Sequence, residues 1–368
     1  MMKFHRYLLI ALALTFVRIG GVHAQDDATA TTTFFMTEDG AFSVQLPEGW
    51  YAGGDAEWLV VSNNPDLTYL NDLAVREAGD YTFLVTPASR NEMDTSLISA
   101  DATILEIATF LAPFFASADP TAVIGEAESL TDSVARVTLS NDEHDAVLYV
   151  ADHLAPGYFS VTIMGAVKGE LTEEAEAMML NILQTVHYSL PLEQTYVVAA
   201  NGVTFSYPAD WKANENDFGT VIFADSQNTL DNVFAGNDPA PGEFSIYAVP
   251  ISPEDTPTDL SGEGMQTFLH EFVTKVVSTT DVHPVVGVTI EDTHPVVGEV
   301  QLLENETLLG GMIAYVPVTN DISEGGFFLV NDNGVLWIVL FAGAPDEGSQ
   351  LFGTALAIAN SITFTPAE

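Results

Sequence analysis

The chain has 368 residues, 47% of them hydrophobic, with 9 Lys+Arg against 52 Asp+Glu and a formal net charge of −43 at pH 7. That length suits two domains of ordinary size, and the charge excludes nucleic acid and anionic membrane as partners, because both require Lys and Arg to displace counterions. With no Cys there is neither a disulfide framework nor a cysteine-borne lipid anchor, and the acids are left to serve solubility, cation binding or a basic partner.

Lys3 and Arg6 make a basic start, Tyr7 to Val17 is an apolar run of eleven residues, and Val22 and Ala24 fit the small-residue cleavage rule. Residues 1–24 are therefore expected to be a signal peptide and the mature protein to be secreted or extracytoplasmic; an uncleaved anchor is the alternative. Eleven residues are too few to span a bilayer, which takes about 20, so no membrane insertion is expected after cleavage. Cutting after Ala24 removes Lys3, Arg6 and Arg18 and no acid, leaving 6 basic and 52 acidic residues and a net charge of −46. Spread over roughly 14,000 Å² of surface, these charges lie about 17 Å apart, about two Debye lengths at 0.15 M salt. Residues 25–33 are small and polar and read as a flexible linker.

Domain 1 is expected over residues 34–189. Phe34-Phe-Met and Phe42 to Leu46 flank a turn at Glu38-Asp-Gly40, and Trp58 to Ser62 and Tyr81 to Val85 are further strands. Ile104, Ile107, Ala108, Leu111 and Phe115 fall at helical spacing, so roughly Ala102 to Phe115 is an amphipathic helix, bent or shortened by Pro113. Val134 to Leu139, Ala146 to Val150 and Tyr158 to Met164 are three strands, with a turn at Ala155-Pro-Gly157. A helix from Thr172 to Thr185 follows, with Thr172 as N-cap and Glu173 and Glu174 at the positive end of its dipole.

After a short linker, 190–195, the pattern recurs in domain 2, residues 196–366. Phe42-Ser-Val-Gln-Leu-Pro-Glu-Gly-Trp50 returns as Val203-Thr-Phe-Ser-Tyr-Pro-Ala-Asp-Trp211. Met265, Phe268, Leu269, Phe272 and Val276 repeat the first helix, and Ile358 to Phe364 repeats Ile182 to Tyr188. The offset drifts only from 161 to 163 through the first two-thirds of the repeat. Asp281 to Gly287 aligns with Asp119 to Gly125, and Glu299 with Arg136. On that alignment the extra residues of the second copy lie around Glu304 to Gly326, with Met312 to Val318 as an added strand. A period near 160 residues is a domain duplication. Hairpin-length connections between strands, with two helices per copy, predict an α+β fold: two tandem antiparallel-sheet domains with helices packed on the sheet faces.

The strand-Pro-x-x-Trp string, carried by Leu46-Pro47-Glu-Gly-Trp50 and Tyr207-Pro208-Ala-Asp-Trp211, resembles the PsbP/Mog1-like family. So does the closing Ile358-Ala-Asn-Ser361-Ile-Thr-Phe364. The resemblance covers both repeats. It implies an antiparallel sheet with helices on its faces and an accessory or adaptor role, and it carries over no catalytic residue.

Candidate sites are few. Asp142, Glu143, His144 and Asp145 form the densest cluster of potential metal ligands, of a type suited to a hard divalent ion such as Ca²⁺. Four consecutive turn residues cannot all converge on one ion, so a solvated loop is the competing reading. His283 and His294 stand in near-identical strings, Asp281-Val-His-Pro-Val-Val-Gly and Asp292-Thr-His-Pro-Val-Val-Gly, either as turn residues before strands or as a paired metal site. Trp50 and Trp211 are core or rim aromatics, or ligand-stacking platforms. His270-Glu271 begins like a zincin helix, but Thr274 stands where the second His belongs.

The function expected is that of a secreted, non-enzymatic binding or accessory protein, with a protein or a cation as partner and no cofactor unless Ca²⁺. It would act through a groove or face between the domains. The alternatives are a cation-binding or envelope-structural acidic protein and, behind it, an exported enzyme with a site assembled from distant residues.

Overall fold

The computed structural model describes residues 32–364 except 69–76, 94–96, 100, 118, 200–201, 236–239, 279–294, 321–322, 333 and 345–346. The chain divides into two compact units between Tyr188 and Ser189. Each carries a large antiparallel sheet flanked by helices, together with a small three-stranded sheet, which is the α+β architecture the patterning predicts.

In the first unit the entry hairpin, β1 (Thr32–Met36) and β2 (Phe42–Pro47), pairs with the closing strand β11 (His187–Tyr188). Its turn is locked by side chains: the Phe42 amide donates to Thr37 Oγ1 (3.0 Å), and the Ala41 amide to Asp39 Oδ1 (3.0 Å). Pro47 ends β2, and the Trp50 amide donates back to the Pro47 carbonyl (3.1 Å), so Pro-x-x-Trp is a turn. The large sheet runs β3 (Tyr51–Asp55), β4 (Trp58–Ser62), β5 (Thr82–Ser89), β10 (Tyr158–Val167), β9 (His144–Ala155), β8 (Val134–Ser140) and β6 (Val123–Ile124), with β7 (Glu128–Thr131) also on β8.

Helix α1 (Ile104–Ala116) covers one face of this sheet. Thr103 and Glu106 form a reciprocal capping box at its start, and Ile104, Ile107, Ala108 and Ala112 make its buried stripe. It continues through Pro113 for three more residues, giving up one backbone bond rather than stopping there. Helix α2 (Glu173–Leu183), capped by Thr172, packs by its C-terminal turn against β2.

The Ile-x-x-Ser/Thr string has a structural reason. Past the end of α2, Thr185 Oγ1 accepts from the Gln45 amide (3.0 Å) and donates to the Ile182 carbonyl (2.8 Å), tying the helix end to β2. A second clamp runs from the Gly79 amide to Glu170 Oε2 (2.6 Å); Gly79 has φ 91°, which favours glycine there.

The second unit repeats the sheets and both clamps. The small sheet is β12 (Leu192–Val197), β13 (Val203–Pro208) and β22 (Thr363–Phe364). The large one runs β14 (Lys212–Glu215), β15 (Val221–Ala224), β16 (Ser245–Pro250), β21 (Val335–Gly343), β20 (Glu324–Asp332), β19 (Met312–Thr319) and β17 (Val296–Val297), with β18 (Gln301–Glu304) on β19. This is the same strand order. Ser361 Oγ accepts from the Ser206 amide (2.9 Å) and donates to the Ile358 carbonyl (2.7 Å), and Glu347 Oε2 accepts from the Gly242 amide (3.0 Å), so both clamps recur. Its helices are α3 (Gln227–Phe234), α4 (Gly262–Ser278) and α5 (Gly348–Asn360).

Two expectations change. Met312 to Val318 is a strand, but not an added one: β19 stands where β8 stands in the first unit. Gly298, rather than Gly287, is the counterpart of Gly125. The Gly125 amide donates to Thr138 on β8 (2.8 Å), and the Gly298 amide to Pro317 on β19 (2.9 Å). Two nearly identical strings eleven residues apart made the wrong register look right. The hairpin β18–β19 is also longer, with seven connecting residues, Asn305–Gly311, against two, Asp132–Ser133, between β7 and β8.

The cores differ at a cluster of three residues. In the first unit Arg136 on β8 makes two bonds to Glu176 on α2 (2.8 and 2.9 Å), and the Tyr149 hydroxyl on β9 donates to the same carboxylate. In the second unit Tyr315, Phe328 and Phe352 take these three positions, with ring centroids 4.9 to 5.2 Å apart. The register proves the match: Arg136 is paired with Tyr149, as Tyr315 is with Phe328.

Candidate functional site

The first unit has a cleft of about 200 Å³ between α1 and the sheet, lined by Ala88, Met93, Leu97, Ile98, Ile107, Phe110, Leu111, Phe159 and Val161. Each wall follows from local structure. Ile107, Phe110 and Leu111 are an i, i+3, i+4 set on α1. Ala88 on β5 lies opposite Phe159 on β10, and Val161 is the next residue on that face of β10. Met93, Leu97 and Ile98 come from the connection between β5 and α1. Leu97 is 62% exposed at the mouth, and Phe114, one turn beyond Phe110 with its ring tilted against it at a centroid distance of 5.2 Å, is 60% exposed.

Arg90 braces the floor. Its guanidinium is held by Asp152 (Nη2 to Oδ2, 2.8 Å) and the Ala102 carbonyl (3.1 Å), and lies 5.8 Å from the centroid of the Phe159 ring. Nearby, Asp101 and Glu106 are exposed. The Thr103 amide and then its hydroxyl hold the Glu106 carboxyl below the ordinary carboxylate range, so it is charged at neutral and mildly acid pH. Every side chain lining the cleft is hydrocarbon or thioether. The cleft can hold an apolar group, but none of its walls can move a proton or attack a substrate.

The second unit differs at this place. Ile251 occupies the position of Ala88: its amide donates to Leu336 (3.0 Å), the counterpart of Phe159. There the core is continuous, with Ile251, Leu336 and Ile338 buried in the same cluster as Met265, Leu269 and Val273 of α4.

The residues singled out in the sequence lie elsewhere. Asp142 and Glu143 are exposed at the β8–β9 turn. Asn141 Oδ1 organises that turn by accepting from the amides of Glu143 (2.9 Å) and His144 (2.6 Å). Asp145 Oδ2 accepts from the Gly169 amide (2.7 Å), so it turns away to close the loop before α2. Among the described residues no group of three or more His, Asp or Glu side chains is gathered at metal-ligand spacing. His283 and His294 lie outside the described residues. Trp211 is buried and Trp50 half-buried, both just past their Pro turns.

No protein-family model matches the chain, and no curated protein does. Among solved structures it is similar to the solution structure of cyanobacterial PsbP (CyanoP) from Synechocystis sp. PCC 6803. Identity is 14% over 47% of this chain and 92% of that one, with a TM-score of 0.31. It is also similar to the Ran-binding protein Mog1p of Saccharomyces cerevisiae, at 12% identity over 44% of this chain and 96% of that one, with a TM-score of 0.29. The chain thus has a weak, low-identity similarity to PsbP- and Mog1-like folds over part of its length.

Proposed function

We propose that this chain is a non-enzymatic binding protein whose first unit holds the ligand site and whose second is a filled copy of the same fold. One observation carries the reading: the first unit has an apolar cleft beside Ala88, whose counterpart in the second unit is the buried Ile251. A cleft walled only by apolar side chains is suited to docking and offers no chemistry to a bound group. Both units are proposed to be PsbP/Mog1-like domains, a reading supported by the recurrence of Pro-x-x-Trp and Ile-x-x-Ser/Thr in each. The leader-like segment 1–24 supports action outside the cytoplasm.

The test uses the full chain labelled at its methionine methyl groups and titrated with benzene, since a dry cavity of about 150 Å³ holds that molecule. Of the nine Met residues, Met93 in the cleft wall is expected to shift selectively and to saturate. No shift at Met93, or a uniform drift of all methyl signals, would refute the reading.

A further inference from the structure

We infer that the cleft of the first unit takes a single bulky apolar side chain from a basic polypeptide segment. This rests on the binding reading above and adds the class of partner. Three observations carry it.

The first is size. About 200 Å³ exceeds the roughly 150 Å³ that accommodates one benzene ring and falls short of the roughly 300 to 1,000 Å³ of a site for a whole small molecule. One aromatic or branched aliphatic side chain fits it, and the rest of the ligand must lie outside. The second is the mouth. Leu97 and Phe114 are both more than half exposed, so apolar surface continues from the cleft onto the outside of α1, where a backbone carrying the anchor would lie.

The third is charge. The chain carries a formal −43, and the described cations of the first unit are all engaged: Arg90 by Asp152, Arg136 by Glu176, and Lys168 by the Asn141 carbonyl. Asp101 and Glu106 are exposed at the start of α1, just before the wall residue Ile107. A segment approaching α1 therefore meets carboxylates, which favours Lys and Arg around the anchor and speeds encounter at low salt. An acyl chain with an anionic head, or a second copy of this acidic chain, would be repelled.

The experiment titrates the methyl-labelled full chain with three blocked peptides at 50 and 300 mM NaCl. They are Lys-Lys-Phe-Lys-Lys, the same peptide with serine in place of phenylalanine, and Glu-Glu-Phe-Glu-Glu. The Lys/Phe peptide is expected to shift the Met93 methyl saturably, at least tenfold more tightly than either other peptide, and more weakly at 300 mM salt. Ala88→Ile, which installs the side chain the second unit uses, is expected to abolish that shift. Leu97→Ser, at the exposed mouth and harmless to the core, is expected to weaken it several-fold and serves if Ala88→Ile misfolds. Equal binding of the phenylalanine and serine peptides, or of the basic and acidic ones, overturns the inference. If benzene enters the cleft while the peptides show no such preference, the partner class falls and the binding reading stands. If neither moves Met93, both fall.

Discussion

Arg136, Tyr149 and Glu176 form a mostly buried ion pair with a tyrosine bridge, and the second unit fills the same three positions with rings. Burial works against the Arg136 charge, but the bonds to Glu176 outweigh it and push the guanidinium pKa up. Burial, then the Glu176 charge, pushes Tyr149 up as well, so it stays a hydrogen-bond donor. Glu176→Ala should destabilise the first unit by about 3 kcal/mol, because it strands a buried cation. Replacing all three residues with the rings of the second unit should cost less, since a buried ion pair is often matched by well-packed apolar residues. Denaturant unfolding of both variants decides this; a triple variant weaker than Glu176→Ala would show that the second unit's solution does not transfer. His187 supplies a second prediction. Burial lowers its pKa from 6.5 to about 4, so between those values the unfolded chain binds a proton that the folded chain does not. Its contribution to stability is complete above pH 6.5 and is lost as pH falls towards 4. Compared with His187→Gln, the native chain should lose stability more steeply across that window. Parallel pH profiles would contradict the assignment.

At the scale of elements, both units depend on one hydroxyl to fasten the last helix to the entry hairpin. Thr185→Val and Ser361→Ala each remove the hydroxyl that accepts from a strand amide, at Gln45 and Ser206. Each should destabilise its own unit by about 1 to 2 kcal/mol. In urea the two substitutions should move separate parts of the unfolding transition, and no shift from either would remove the clamp from the account. The strings that mark these features were legible because strand alternation and helix spacing repeat at fixed offsets. Thr172 and the turn at Gly157 are legible because N-caps and left-handed positions restrict residue type. The placement of the extra residues is not legible in the sequence, because two near-identical His-Pro-Val-Val-Gly strings compete for one partner and only the pairing of Gly298 with Pro317 chooses between them. The cleft was hidden for a different reason. Ala88 is an ordinary strand residue until its pairing with Phe159 is known, and a missing side chain leaves no signal in a sequence. The acidic run at Asp142 to Asp145 stands out by composition, and its local bonds are those of a turn organised by Asn141.

For the molecule as a whole, duplication supplies an internal control: one fold occurs twice in one chain, with Ala88 in one copy and Ile251 in the other. Under the proposed role the first unit is the one open to a ligand. Ile251→Ala should open a comparable space in the second unit, at a cost of about 2 to 5 kcal/mol as for other large-to-small core changes. The most direct measurement is the number of benzene molecules bound by the native chain and by Ala88→Ile under identical conditions, with circular dichroism confirming that both are folded. The account predicts one for the native chain and none for the variant. A folded Ala88→Ile chain that binds benzene as the native chain does would contradict it.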